Sequence, residues 1–268
     1  MSEPAPAPRP EPEQIDPLRA EMERLDKAML DLVAQRLRLG DRMKSLIGNE
    51  FPLRPGPEAA MLRNLIAAAP EVEPDLIVEL WRTLIAANVR RHTPLDIAVA
   101  GGTDPVILFD IARRHFGART RIRKSAEPQT ALLKAIELQN TVAVVPWPAA
   151  PGVGSWWPAL SESRFHALYL VAGLPVRGAG SEDPQACVFA KTLPEPGGDD
   201  ITMMIVFDPH HRAQRAMNEV GFKGREVARS EPRALLRVEG FIAHDDPRAG
   251  ALTRYGIDSV RVLGSFAR

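Results

Sequence analysis

From Ile15 to about Gly48 the chain repeats Leu18, Met22, Leu25, Met29, Leu32, Leu39, Met43 and Leu46 in alternating three- and four-residue steps. That spacing predicts one amphipathic helix with an apolar seam along one side. At 1.5 Å per residue, ~30 residues extend about 45 Å, too long for a helix inside a small globule. Such a helix lies along another long helix, often one from a second copy of the chain. "NEFPLRPGP" breaks the pattern, and Pro57 stands directly before Glu58, where a shorter helix to about Ala68 is predicted. Proline suits the first turn, where its missing N–H would have no partner anyway. A third helix is predicted from about Glu73 to Arg91, with Leu76, Leu80, Trp81, Leu84, Ile85 and Asn88 on one side.

At "HTPLDIAVAGG" the texture changes. Strand-like runs "LDIAVAGG", "TRIRKSA" and "TVAVVPW" alternate with helical "PVILFDIARRHFG" and "PQTALLKAIELQN", the alternation of an α/β domain. "HALYLVAGLPV" and "ACVFAKTL" read as further strands. The last stretch predicts β-α-β-β-α-β, a ferredoxin-like order. The fold class is therefore α + α/β, with a three-helix domain first. The boundaries fall at 1–14 for a Pro/Glu/Ala-rich disordered tail, 15–93 for the helices, 94–196 for the α/β domain and 197–268 for the ferredoxin-like unit.

Composition narrows the function classes. Acidic and basic residues balance at 34 each, so no global field points to nucleic acid or an anionic membrane. No apolar run approaches the ~20 residues of a membrane span, and the start lacks the apolar core of a secretory signal. The lone Cys187 excludes an internal disulfide framework and fits a reducing cytosol, so the expected location is cytoplasmic. His210 and His211 read as a solvated turn, with no metal expected, and Cys187 as a small buried filler.

Two places could carry chemistry. Arg36, four residues after Leu32 and three before Leu39, occupies the seam where an apolar residue belongs. A buried guanidinium needs an anion: either an acid such as Glu58 or a bound carboxylate gripped bidentately. On the third helix, Asn88 and His92 lie one turn apart. Arg19, Arg36, Glu58, Asn88 and His92 could together form a polar pocket in a helical bundle.

"LRAEMERLDKAMLDLVAQR", "RPGPEAAMLRNLI" and "LWRTLIAANVRRH" resemble the all-helical chorismate mutases of the AroQ type, over about residues 15–92. The resemblance implies an intertwined homodimer that rearranges chorismate to prephenate without a cofactor, by orientation and electrostatic stabilisation. Arg19, reaching across the dimer, and Arg36 would clamp the substrate carboxylates. Glu58 would hold the substrate hydroxyl or face the ether oxygen, with Asn88 nearby, and His92 would stand where the family has a Gln donor. Two expected cations are missing: Ile47 replaces a Lys and Pro57 an Arg. Lys44, Arg42 or Arg54 could compensate, and Lys44 lies nearest the right face. A non-catalytic regulatory or scaffold protein, with a carboxylate ligand or an aromatic-pathway enzyme as partner, is the alternative.

The second half resembles prephenate dehydratase segments in "IAVAGGTDPVILFDIARRHFG" and "AEPQTALLKAIELQNTVAVVPW", and "DDITMMIVF" with "RVLGSFAR" resembles the ACT domain that follows them. Its signatures are worn. Cys187 and Val188 replace a catalytic Thr-Arg, "WPAAP" a Glu-Asn-Ser loop, Asp104 a Ser, and "DPHHRAQRAM" a Gly-Ala-Leu effector loop. The resemblance thus implies no dehydratase activity and no phenylalanine feedback.

Overall fold

The computed structural model describes residues 12–48, 51–101, 104–149, 154–176 and 183–268. Two compact units make up the chain, Met1–Asn49 and Glu50–Arg268. The first holds one helix, α1 (Pro12–Ile47), 36 residues long. It begins three residues before Ile15, and the Pro-rich stretch ahead of it lies outside the described residues. Within this unit the predicted seam faces solvent: Leu18 is 66% exposed and Leu46 87%, with Met22, Leu32 and Met43 between them also uncovered.

The second unit opens with α2 (Pro55–Ala68) and α3 (Pro74–His92). α2 starts at Pro55 rather than beside Glu58, so Pro55 and Pro57 both fall in its first turn. That turn tolerates both, because its N–H groups have no intrahelical acceptors. The strands and helices that follow are β1 (Asp96–Ala100), α4 (Pro105–Phe116), β2 (Arg121–Ser125), α5 (Pro128–Glu137), β3 (Thr141–Pro146), β4 (Tyr169–Leu174) and β5 (Ala186–Ala190). Then come β6 (Asp200–Phe207), α6 (Ala213–Glu219), β7 (Gly224–Ser230), β8 (Arg233–Glu239), α7 (Pro247–Ala251) and β9 (Ser259–Ala267).

The nine strands among the described residues join one sheet in the order β2-β1-β3-β5-β4-β9-β6-β8-β7. β2, β1 and β3 run parallel, as helical crossovers require. The final six elements have the predicted β-α-β-β-α-β order. Their four strands pair antiparallel, yet β9 also meets β4 through Leu170 and Gly264, so the sheet continues across residue 197. Gly264, at φ +133°, has Leu170 backbone where a Cβ would stand, and only glycine permits that approach.

Strands covered on both faces read as continuous apolar runs. β3 is buried at every position; Val142 and Val144 pack with Leu108, Ala112 and Phe116 of α4 on one face. On the other face Ala143 and Val145 meet Ala131, Leu132 and Ala135 of α5, together with Trp147, Trp156 and Trp157. Cys187 and Val188 lie inside these two cores, and burial, with Asp183 adding to it, pushes the Cys187 thiol pKa up. α2 packs on α3 and on β9 and β4, where Ala59 and Leu62 are 2% exposed. No helix among the described residues is long and apolar enough to cross a membrane.

Candidate functional site

Within the first unit, α1 carries Arg19, Arg36 and Lys44. Arg19 is exposed and pairs loosely with Asp16, Nη1 to Oδ1 3.4 Å. Arg36 and Lys44 are partly buried, although Leu32 and Leu39 beside Arg36 are 64% and 57% exposed. Arg36 and Ile47 are eleven residues apart and so share a face, about 16 Å apart along the axis. Ile47 ends the helix, and its side chain lies outside the description.

Within the second unit the polar cluster is built around a residue that the sequence pattern did not single out. Arg82 of α3 is 4% exposed and donates from Nη1 to Glu58 Oε2 at 2.6 Å. Glu58, offered as a partner for Arg36, is thus held by Arg82. Its other oxygen, Oε1, lies 3.5 Å from the Arg54 N–H, and the first turn of α2 is a favourable place for its charge. Removing either member would strand the other; because Glu58 is 15% exposed, the cost falls below the ~3–5 kcal/mol of a fully buried pair. Arg82 Nε and Nη2 make no hydrogen bond among the described residues although both atoms are buried.

His115 of α4 lies close to Arg82. Burial first, and the Arg82 charge second, push its pKa well below the usual imidazole value, so the ring is neutral. Gly117, at φ +89°, ends α4 against the Ala86 methyl of α3 and sets how closely the two helices approach. Between α3, α4 and the chain after β4 lies a cleft of about 320 Å³, with Arg82 and His115 in its wall.

Asn88 and His92 lie on α3, as expected, one turn apart. Asn88 stands about 120° around the helix from Arg82. Its Oδ1 is buried without a hydrogen-bond partner among the described residues. Arg54 turns to Glu195, with Nε to Oε2 2.8 Å and Nη2 to Oε1 2.6 Å, a bidentate pair that holds the Glu195 carboxyl below the usual carboxylate range. The second unit therefore brings Arg54, Glu58, Asn88 and His92 onto α2 and α3 and their approach, while Arg19, Arg36 and Lys44 belong to α1.

A different ion cluster closes the turn after β6. Asp208, fully buried, accepts from the N–H groups of Arg212 and Ala213 at 2.7 and 3.1 Å, and from Arg229 Nη2 at 3.0 Å. Burial opposes its charge, but these donors outweigh it and keep its pKa below the usual value. Nearby, His211 lies at φ 54° with Nε2 3.2 Å from Glu231, in an exposed turn.

The architecture is thus an α-helical region followed by a mixed α/β sheet. Residues 18–93, 76 of 268, match the family model of chorismate mutase type II. Among solved structures, one described as a novel type of quorum quenching acylase is 16% identical, with a TM-score of 0.42, over 65% of this chain and 95% of that one. A prephenate dehydratase from Streptococcus mutans is 15% identical (TM-score 0.42, 64% of this chain, 97% of that one). A prephenate dehydratase from Arthrobacter aurescens, solved with L-Phe, is 12% identical (TM-score 0.41, 64% and 90%). No curated protein matches the chain.

Proposed function

We propose that the helical region is a chorismate mutase, converting chorismate to prephenate without cofactor or metal. The match of residues 18–93 to the mutase family carries this reading. Arg19 and Arg36 clamp the two carboxylates, Glu58 holds the substrate hydroxyl, and Asn88 and His92 supply polar contacts from α3. The reaction is pericyclic, so these groups act by orientation and by stabilising charge on the ether oxygen as its C–O bond breaks. Two uncovered apolar faces, the α1 seam and the side of α3 bearing Leu76 and Leu80, support a homodimer in which α1 runs along its copy. Lys44 is the cation best placed to answer for Ile47, since Arg54 is engaged by Glu195. Loss of one donor to developing charge typically slows a reaction ~10²–10³-fold, so turnover is slow. A cytoplasmic enzyme of aromatic amino-acid biosynthesis fits this assignment. Dehydratase chemistry does not, because buried Cys187 and Val188 stand where that resemblance requires Thr and Arg.

A second reading, a regulatory or scaffold protein that binds a carboxylate or a pathway enzyme, draws support from Ile47, Pro57 and the pairing of Glu58 with Arg82. Chorismate consumption by the purified protein, beside an Ile47→Lys/Pro57→Arg variant, separates the two. Wild-type turnover that rises in the variant and disappears in Arg36→Ala supports the mutase. A silent wild type with an active variant points to the scaffold, with an intact fold and a lapsed site.

A further inference from the structure

The cleft between α3 and α4 lies in the second unit and involves none of the α1 residues. Its chemistry is unlike that of a packing defect. Arg82 is a permanent cation, 4% exposed, with one of its three nitrogens on Glu58 and the other two without acceptors among the described residues. Buried N–H donors of a charged group that lack acceptors cost several kcal/mol. They are also what a bidentate carboxylate satisfies, because the planar guanidinium offers parallel donors along one edge.

The rest of the wall restricts the ligand further. Glu79 lies three residues before Arg82 on α3, one turn away on the same face, and also lines the cleft. Asp110 and Arg114 at the rim answer each other, Oδ2 to Nε 2.9 Å. Val78, Ile111 and Val176 supply apolar surface. The volume, about 320 Å³, is at the small end of the ~300–1,000 Å³ typical of ligand pockets. Neutral His115 adds a polar ring beside Arg82 without a second positive charge.

We propose that this cleft binds a small zwitterion with an apolar body, an α-amino acid with a branched or aromatic side chain. Its carboxylate sits on Arg82, its ammonium on Glu79 and its side chain against Val78, Ile111 and Val176. An acid without the amine would lose only the modest attraction of exposed Glu79, whereas an amine without the acid would leave the Arg82 donors unpaired.

Isothermal titration of the full chain with L-leucine tests the site, and no chorismate is involved. L-leucine is expected to bind, 4-methylpentanoate, which lacks the ammonium, about two- to fivefold more weakly, and isoamylamine, which lacks the carboxylate, at least about tenfold more weakly, roughly 1.4 kcal/mol. Arg82→Gln should weaken L-leucine by at least the same factor. Because that variant also disturbs Glu58, Ile111→Trp provides an independent check: it fills the cleft, leaves the ion pair intact and should abolish the heat. The proposal is overturned if L-leucine gives no saturable heat, if 4-methylpentanoate binds as tightly, or if Ile111→Trp binds like the wild type.

Discussion

Two arginines, one buried and one half-buried, each paired with an acid, do opposite things in this molecule. Arg229, on β7, is saturated: Nε donates to Glu226 at 2.9 Å, Nη1 to the Asp208 carbonyl at 3.1 Å, and Nη2 to Asp208 and Glu226 at 3.0 and 2.6 Å. Asp208 in turn receives two backbone N–H groups. Every partner is local, and the cluster fastens the turn after β6 to the β7 edge of the sheet. Arg82 is more deeply placed, its side chain 4% exposed against 17% for Arg229, but uses only Nη1, on Glu58. A saturated guanidinium is fully used by the fold. Arg82, with two buried donors that no described residue answers, is not.

The largest effect that distinguishes them is on stability. Arg229→Met strands buried Asp208 with its remaining donors, and urea unfolding should show a loss of ~3–5 kcal/mol. Arg82→Met strands only Glu58, which is 15% exposed and near water, so the loss should be smaller, ~1–3 kcal/mol. Equal losses would mean that both arginines serve the fold alike and would break the contrast.

Acid should then separate the clusters by the pH at which each fails. His115 is held neutral, so the unfolded chain takes up a proton near pH 6.5 while the folded chain does not. Its contribution is whole above 6.5 and shrinks as pH falls below it. The depressed Asp208 carboxyl protects stability until pH drops through the carboxylate range, beneath 3.8. Thermal melts should therefore show two acid limbs, and His115→Asn should flatten the upper one alone. A single limb unaffected by His115→Asn would sink the assignment.

The smallest effect belongs to a pair that resembles the others only on paper. Arg54 and Glu195 are 53% and 40% exposed, so Glu195→Gln should change the unfolding midpoint by no more than ~1 kcal/mol, less still in high salt. A larger loss would mean that the ends of this pair are more enclosed than their exposure indicates.

Local pattern accounts for what was legible in the sequence. The long seam announced α1, alternation announced the strands, and Gly117 marked the end of α4 where it falls. α2 starts three residues before the position that the pattern predicts, because Pro55 and Pro57 are both compatible with a first turn and only the backbone chooses between them. Arg82 was hidden by the apolar row through Leu76, Leu80 and Trp81; it lies instead on the buried row with Ile77 and Ala86, which faces inward only once α2 and α4 are in place. The junction of β9 with β4 left no signal, since pairing between strands some 90 residues apart has no local period. Arg36 stands out by its place in the apolar seam, the roles of Arg19 and Glu58 rest on resemblance to a family, and neither signal carries information on what pairs with Glu58.

The seat of α2 has a consequence for how such a chain could be assembled or taken apart. Gly56 lies where any Cβ would collide with the Glu195 carbonyl, and Arg63 donates to the carbonyl oxygens of Gly197 and Arg268. Leu62 and Ala59 are buried in the same unit as the sheet. The border near residue 93 that the sequence suggests is therefore not a seam along which genes could recombine freely. A helical half borrowed from elsewhere would arrive without the glycine, the arginine and the apolar pair that the sheet expects. Within the second unit, α2 and the sheet are fitted to each other.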